Sequence, residues 1–167
     1  MENGHFECLE REVAELLTER GLTVAAAESC TGGLLSKRLT DIPGISKVFR
    51  GGVVAYSTAS KTALLGVGEG LISEYGAVSR ETALAMADGA RERFGADIGI
   101  GITGVAGPDS DESGLDPGVV FIAITSDDIS ECRAPGMFRD RDRIRTTAAS
   151  NALDMVRRYL AGLEIVE

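Results

Sequence analysis

Apolar positions along the chain alternate between helical and extended spacing. Leu9, Val13, Leu16 and Leu17 recur at helical intervals among charged neighbours, with Phe6 just before them, so the pattern predicts an amphipathic helix from about Glu7 to Glu19, ended by Gly21. Leu22 to Ala27 is a short apolar run that predicts a buried strand. Helical spacing returns at Leu34, Leu35, Leu39 and Ile42, in a helix that starts at Thr31 and stops at Asp41-Ile42-Pro43-Gly44, since proline followed by glycine cannot extend it. Val48-Phe49 and Val53-Val54-Ala55 read as a second strand with Gly51-Gly52 inside it, where a bulge or a close helix contact is the usual reason for glycine. Thr58 to Leu65 predicts a short helix and Glu69 to Tyr75 another. Ser79 then opens a stronger one with the inner stripe Ala83, Met86, Ala87, Ala90 and Phe94.

Asp97 to Thr103 sets Ile98, Ile100 and Ile102 against Gly99 and Gly101, so one strand face is apolar and the other bare, which invites a closely packed helix or a ligand. Gly104 to Pro117 is a long polar loop of the kind that is usually functional in compact domains. Val119 to Thr125 reads as a buried strand, Asp127-Asp128 as a turn, and Ile129 to Ala134 as an edge strand with Pro135 near its end. A last helix runs from about Asp140 to Leu160, buried through Ile144, Ala148, Ala152, Met155 and Tyr159. Interleaved strands and helices predict an α/β fold: a single three-layer α/β/α domain on a mostly parallel or mixed sheet of about five strands.

Composition narrows the function. A chain of 167 residues with 44% hydrophobic content suits one domain with a sizeable core. No apolar run has the length of a membrane span and the first twenty residues hold no signal peptide, so the expectation is a cytoplasmic protein with no membrane partner. Cys8, Cys30 and Cys132 lie far apart without CxxC spacing, which predicts free thiols and no zinc site. The net charge of −9 argues against a nucleic-acid partner but leaves room for a small anionic ligand in a locally basic pocket. The single histidine, His5, lies in the N-terminal segment, which argues against Ser-His-Asp or Cys-His chemistry.

The candidate chemistry lies where Ala25-Ala26-Ala27 gives way to Glu28-Ser29-Cys30-Thr31-Gly32-Gly33. This turn joins the carboxyl end of a strand to the amino end of a helix, and the first amides of a helix have no partner within it, so they can hold a phosphate, a carboxylate or an oxyanion. Ser29 and Cys30 both stand as nucleophiles: the thiol needs a lowered pKa, the hydroxyl a neighbouring base. The chain has only three lysines, Lys37, Lys47 and Lys61. Lys61 is the best placed, soon after the second strand, because neighbouring parallel strands end on one rim of the sheet. As a base it must be neutral, with its pKa drawn down by burial or by nearby positive charge. The ordinary alternative is an exposed helical lysine. Tyr56 either orients Lys61 or relays a proton, or is a half-buried packing residue, and Thr31 has the look of a helix cap. Thr103-Gly104-Val105-Ala106-Gly107 is a second turn of small residues at a strand end. Arg141 and Arg145, four apart among Arg139, Arg143, Asp140 and Asp142, form either a phosphate grip or a solvated ion-pair face.

The stretches Ala27 to Gly33, Gly51-Gly52-Val53-Val54-Ala55-Tyr56-Ser57 with Lys61, Gly76-Ala77-Val78-Ser79 and Thr103 to Pro108 together resemble the CinA C-terminal domain family, and the match covers nearly the whole chain. Characterised members of that family include nicotinamide mononucleotide deamidases. The resemblance implies hydrolysis of the carboxamide of nicotinamide mononucleotide to nicotinic acid mononucleotide and ammonia, without a cofactor or metal. It implies Ser29 as nucleophile, Lys61 as base and Tyr56 assisting. It also implies Ser46, Thr103, Gly104, Gly107 and Arg145 at the substrate. Joined with the reading of the turn, the expected site adds Thr31, Gly32 and Gly33, with the amides of Thr31 to Gly33 facing the oxyanion and Arg145 on the phosphate. The expected partner is a pyridine nucleotide, and the expected assembly a homo-oligomer. Two segments depart from the family: Thr58-Ala59-Ser60 replaces a common Asn-Glu-Ala, and Ser110 to Pro117 replaces a Gly-Gly and Lys-Pro-Val pattern. Some members are known only as competence or damage-inducible proteins, so the alternative function is a non-catalytic nucleotide-binding or sensor module.

Overall fold

The computed structural model describes residues 8–137 and 140–165. Along it run α1 (Leu9–Arg20), β1 (Val24–Glu28), α2 (Leu34–Thr40), a 3-10 turn (Ile45–Lys47), β2 (Phe49–Val54), α3 (Thr58–Leu65), α4 (Glu69–Tyr75), α5 (Arg80–Phe94), β3 (Ile98–Gly104), β4 (Val120–Thr125), β5 (Ser130–Arg133) and α6 (Arg141–Leu160). The five strands form one mixed sheet in the order β2-β1-β3-β4-β5, with β2, β1 and β3 parallel and β4 antiparallel to both its neighbours. The chain is thus a single α/β domain with helices on both faces of its sheet, the mixed form of the predicted fold. The predicted start of the first helix at Glu7, with His5 and Phe6, lies outside the described residues, as does Arg139.

Strand alternation builds the two cores. Val24 and Ala26 of β1 join Ile98, Ile100, Ile102, Ile122 and Ile124 in a cluster with α1, α2 and α6. Ala25 and Ala27 pack on the other side with Met86 and Ala90 of α5. The bare face of β3 is filled by α5 and not by a ligand: a Cβ at Gly101 would stand 2.1 Å from the carbonyl oxygen of Ala83. On α6 the predicted stripe is buried from Ile144 to Met155, while Tyr159 is half-buried with its hydroxyl between Ser126 and Asp128. The loop from 105 to 119 is tied at its base by Val105 and Gly118 main-chain bonds, and in its middle by Asp111, whose carboxylate accepts from the Ser113 amide and hydroxyl and the Leu115 amide. No helix among the described residues is long and apolar enough to cross a membrane. Because β1, β2 and β3 run parallel, their carboxyl ends bring Ser29, Tyr56 and Thr103 to one rim.

Candidate active site

The alternation that turns Val24 and Ala26 toward α2 turns Glu28 the same way, and the next side chain, Ser29, toward α3. The start of α3 is fixed by Ser57 and Ser60, each side chain bonding the other's amide in a capping box. Lys61 and Leu65, one turn apart, are the buried residues of that helix. Lys61 is only 2% exposed, and its Nζ lies 2.9 Å from Ser29 Oγ and 3.0 Å from the carbonyl oxygen of Ala55. The Ala55 amide donates in turn to the Glu28 carbonyl, so main-chain bonds between two adjacent strand ends hold both members of the pair.

No carboxylate forms an ion pair with Lys61 among the described residues. Burial therefore pushes its pKa down, opposed by the charge of a Cys30 thiolate. That thiolate is scarce at neutral pH, because burial pushes the Cys30 thiol up to about 11. The two candidate nucleophiles thus differ in surroundings: the Ser29 hydroxyl has the Lys61 amine in contact, and Cys30 is a buried thiol whose ionisation is disfavoured. A neutral Lys61 with one N–H on the Ala55 carbonyl has its lone pair left for the Ser29 hydroxyl.

The turn after Ser29 differs from the expectation. The helix starts at Leu34, and Thr31 is no cap: its hydroxyl is buried without a partner among the described residues. The Gly32 amide donates to the Ser29 carbonyl at 3.0 Å and the Gly33 amide to Glu28 Oε2 at 3.1 Å, so neither glycine amide is available to an oxyanion. The amides of Cys30 and Thr31 have no acceptor among the described residues, and they are the donors that remain. Gly32 and Gly33 serve by conformation, with φ of 58° and 94° that other residues rarely adopt.

A cavity of about 170 Å³ opens above the pair, lined by Ser29, Cys30, Tyr56, Lys61, Thr103 and Gly104, with Arg141 at its edge. The Thr103 hydroxyl donates to the Ala77 carbonyl at 2.7 Å, tying the Gly76-Ala77-Val78-Ser79 segment to the end of β3. Tyr56 is 59% exposed, and its hydroxyl accepts from Arg141 Nη2 at 3.2 Å. Lys61 is oriented by the Ala55 carbonyl and not by Tyr56. Gly107 enters through its carbonyl, which accepts from Arg141 Nη1 at 2.6 Å.

Of the expected substrate residues, Thr103 and Gly104 line this cavity; Thr31, Gly32, Gly33 and Gly107 flank it in the turns, and Arg145 and Ser46 are placed as follows. Arg145 lies against the turn with its guanidinium on the carbonyls of Cys30 (3.2 Å) and Thr31 (2.9 Å). Ser46 is exposed in the 3-10 turn before β2, and because a parallel crossover returns the chain to the amino end of the sheet, it sits on the rim opposite Ser29. Glu28 and Ala55 were not singled out by the sequence. Strand alternation carried a signal for Glu28, an acidic side chain on the face that packs against a helix. Among the described residues no group of three or more His, Cys, Asp or Glu is placed to hold a metal ion.

Comparison with known proteins adds identity to this geometry. Residues 6–160 match the family model of the CinA C-terminal domain. A CinA-like protein of Frankia casuarinae is 51% identical over 160 residues, which is 96% of this chain and 37% of the relative. The chain spans less than two fifths of the length of the curated relatives it matches. Among solved structures, the competence/damage inducible protein CihA of Agrobacterium tumefaciens is 36% identical with a TM-score of 0.87, the match covering 96% of this chain and 98% of that one. A competence-damaged protein (CinA) superfamily protein of Klebsiella pneumoniae gives 0.89 at 31% identity, over 92% and 96% of the two chains.

Proposed function

Because the chain belongs to the CinA C-terminal domain family, we propose that it is a cytoplasmic amidohydrolase that opens the carboxamide of nicotinamide mononucleotide through a Ser29–Lys61 dyad. The observation that carries this reading is the 2.9 Å contact between Ser29 Oγ and a buried Lys61 Nζ that has no carboxylate partner. Lys61 Nζ takes the hydroxyl proton as Oγ adds to the amide carbon, and the Cys30 and Thr31 amides meet the developing oxyanion. The proton passes to the leaving nitrogen, the C–N bond breaks and ammonia departs. Water, deprotonated by the same amine, then cleaves the Ser29 ester to give nicotinic acid mononucleotide and restore the hydroxyl. No metal or cofactor takes part in this scheme.

The anionic end of the substrate falls to Arg141, which borders the cavity, while Arg145 braces the turn. Ser46 serves such a cavity only from a second copy of the chain, which ties its role to the expected homo-oligomer. The test is ammonia release from nicotinamide mononucleotide by purified protein. Ser29→Ala and Lys61→Ala each abolish it while leaving the fold intact, and full activity in the lysine variant rules the dyad out. Thermal stabilisation by the nucleotide without turnover in the wild type would assign the cavity to a sensor module instead.

A further inference from the structure

The amide-cleavage scheme gives no task to the buried carboxylate that adjoins its nucleophile. Glu28, the residue before Ser29, is 0% exposed and meets no cation. Its Oε2 accepts from the amides of Gly33 (3.1 Å) and Leu35 (3.0 Å), and its Oε1 from the amide (2.8 Å) and hydroxyl (2.7 Å) of Ser36. Four donors fill the acceptor sites of one carboxylate. The side chain therefore reaches over the Ser29–Gly33 turn and fastens its far end to the strand from which the turn began. The near end is fastened as well, by the Ser29 amide on the Ile102 carbonyl at 2.9 Å and the Glu28 carbonyl on the Ala55 amide at 2.8 Å.

From this arrangement we propose that Glu28 is a positioning residue for Ser29, its carboxylate locking the first turn of α2 onto the end of β1 so that the hydroxyl stays aligned with Lys61. The proposal rests on the reading of Ser29 as nucleophile. Between the two fastened ends lie Gly32 and Gly33, whose backbones have the widest conformational freedom of any residue. Without the carboxylate that freedom passes to the turn and to the serine. The same bonds keep the start of α2 from the substrate, because its Gly33, Leu35 and Ser36 amides are already satisfied from within the chain. Glutamine does not reproduce the acid: on the Oε2 side its NH2 group faces the amides of Gly33 and Leu35, and on the Oε1 side it can donate to the Ser36 hydroxyl but still faces the Ser36 amide.

A helix cap that only stabilised would lower the melting temperature of Glu28→Gln and leave the chemistry of the folded molecule alone. A positioning residue changes kcat in protein that is still folded. Two readouts on Glu28→Gln separate these: kcat and KM for ammonia release, and the rate at which phenylmethanesulfonyl fluoride sulfonylates Ser29, followed by intact mass. The expected result is a fall of about tenfold or more in kcat and in sulfonylation rate, with KM within about twofold, as for a reacting atom displaced by a fraction of an ångström. Both rates within about twofold of wild type in the variant overturn the proposal. If Glu28→Gln does not fold, Ser36→Ala decides in its place: it removes one of the four donors, and a fall in both rates of about threefold or more supports the role while unchanged rates overturn it. A wild type that reacts with the reagent but releases no ammonia retires the amidohydrolase reading and leaves the Glu28 comparison standing. If the wild type is inert to the reagent, kcat and KM for ammonia release decide alone, with kcat in Glu28→Gln within about twofold of wild type overturning the proposal.

Discussion

Lys61 is stable in its place only as a compromise. Its ordinary pKa of 10.5 is drawn down by burial, so between the folded value and 10.5 the unfolded chain binds a proton that the folded chain lacks. Stability therefore rises as pH rises through that window, and below it the lysine burdens the fold with a buried, unpaired charge. Lys61→Met keeps the bulk and removes the charge. The expected outcome is a loss of about 10³-fold or more in ammonia release, together with a melting temperature above that of wild type at neutral pH. The difference shrinks as pH approaches 10.5. Calorimetry of both proteins across pH checks the sign, and a variant less stable than wild type at neutral pH would contradict it. In the proposed scheme Arg145 makes the opposite case, a charged side chain whose guanidinium donates to the Cys30 and Thr31 carbonyls. Arg145→Ala strips the donors from the Cys30 and Thr31 carbonyls and should cost about 1–3 kcal/mol in denaturant unfolding, with the KM for the nucleotide little changed.

Elements were legible where their signals are local. Thr58–Leu65 and Glu69–Tyr75 agree with the sequence at both ends, since Ser57 with Ser60, Gly66 and Gly76 mark the boundaries within a few residues. The start of α2 was not, because the group that satisfies its amides comes from Glu28, five to eight residues earlier, and periodicity does not report where a carboxylate folds back. Strand direction was equally hidden: a period of two is the same for parallel and antiparallel neighbours, so the reversal at β4 emerged only with the structure. The glycines of β3 were informative because a missing side chain is a statement about a neighbour. Gly101→Ala places a methyl group 2.1 Å from the Ala83 carbonyl, so α5 must lift from the sheet. The expected cost is about 1–3 kcal/mol, read as a lower urea midpoint at unchanged slope. An unshifted midpoint would mean that the helix yields freely.

Across the whole molecule, size and charge bear on what the site can take. The cavity of about 170 Å³ falls below the range of roughly 300–1,000 Å³ typical of pockets that engulf a drug-sized ligand. On the proposed reading a pyridine ring carrying its amide takes the enclosed part, and the ribose phosphate extends past Tyr56 toward Arg141. In a chain of net charge −9, a long-range field would repel a phosphate, so a local cation has to supply the attraction. The sequence gathered Arg141 and Arg145 onto one helix face but could not say which reached the rim, because that depends on where the turn after β1 places its carbonyls. The reading separates ring chemistry from anion recognition, and a substrate series tests the separation. KM should fall from nicotinamide riboside to nicotinamide mononucleotide at similar kcat, and rising salt should narrow the gap, as for any exposed charge pair. Arg141→Ala should raise KM for the mononucleotide by about tenfold and leave the riboside within about twofold. The same loss for both substrates would assign Arg141 to holding Tyr56 and Gly107 in place, and the phosphate would then need a different cation.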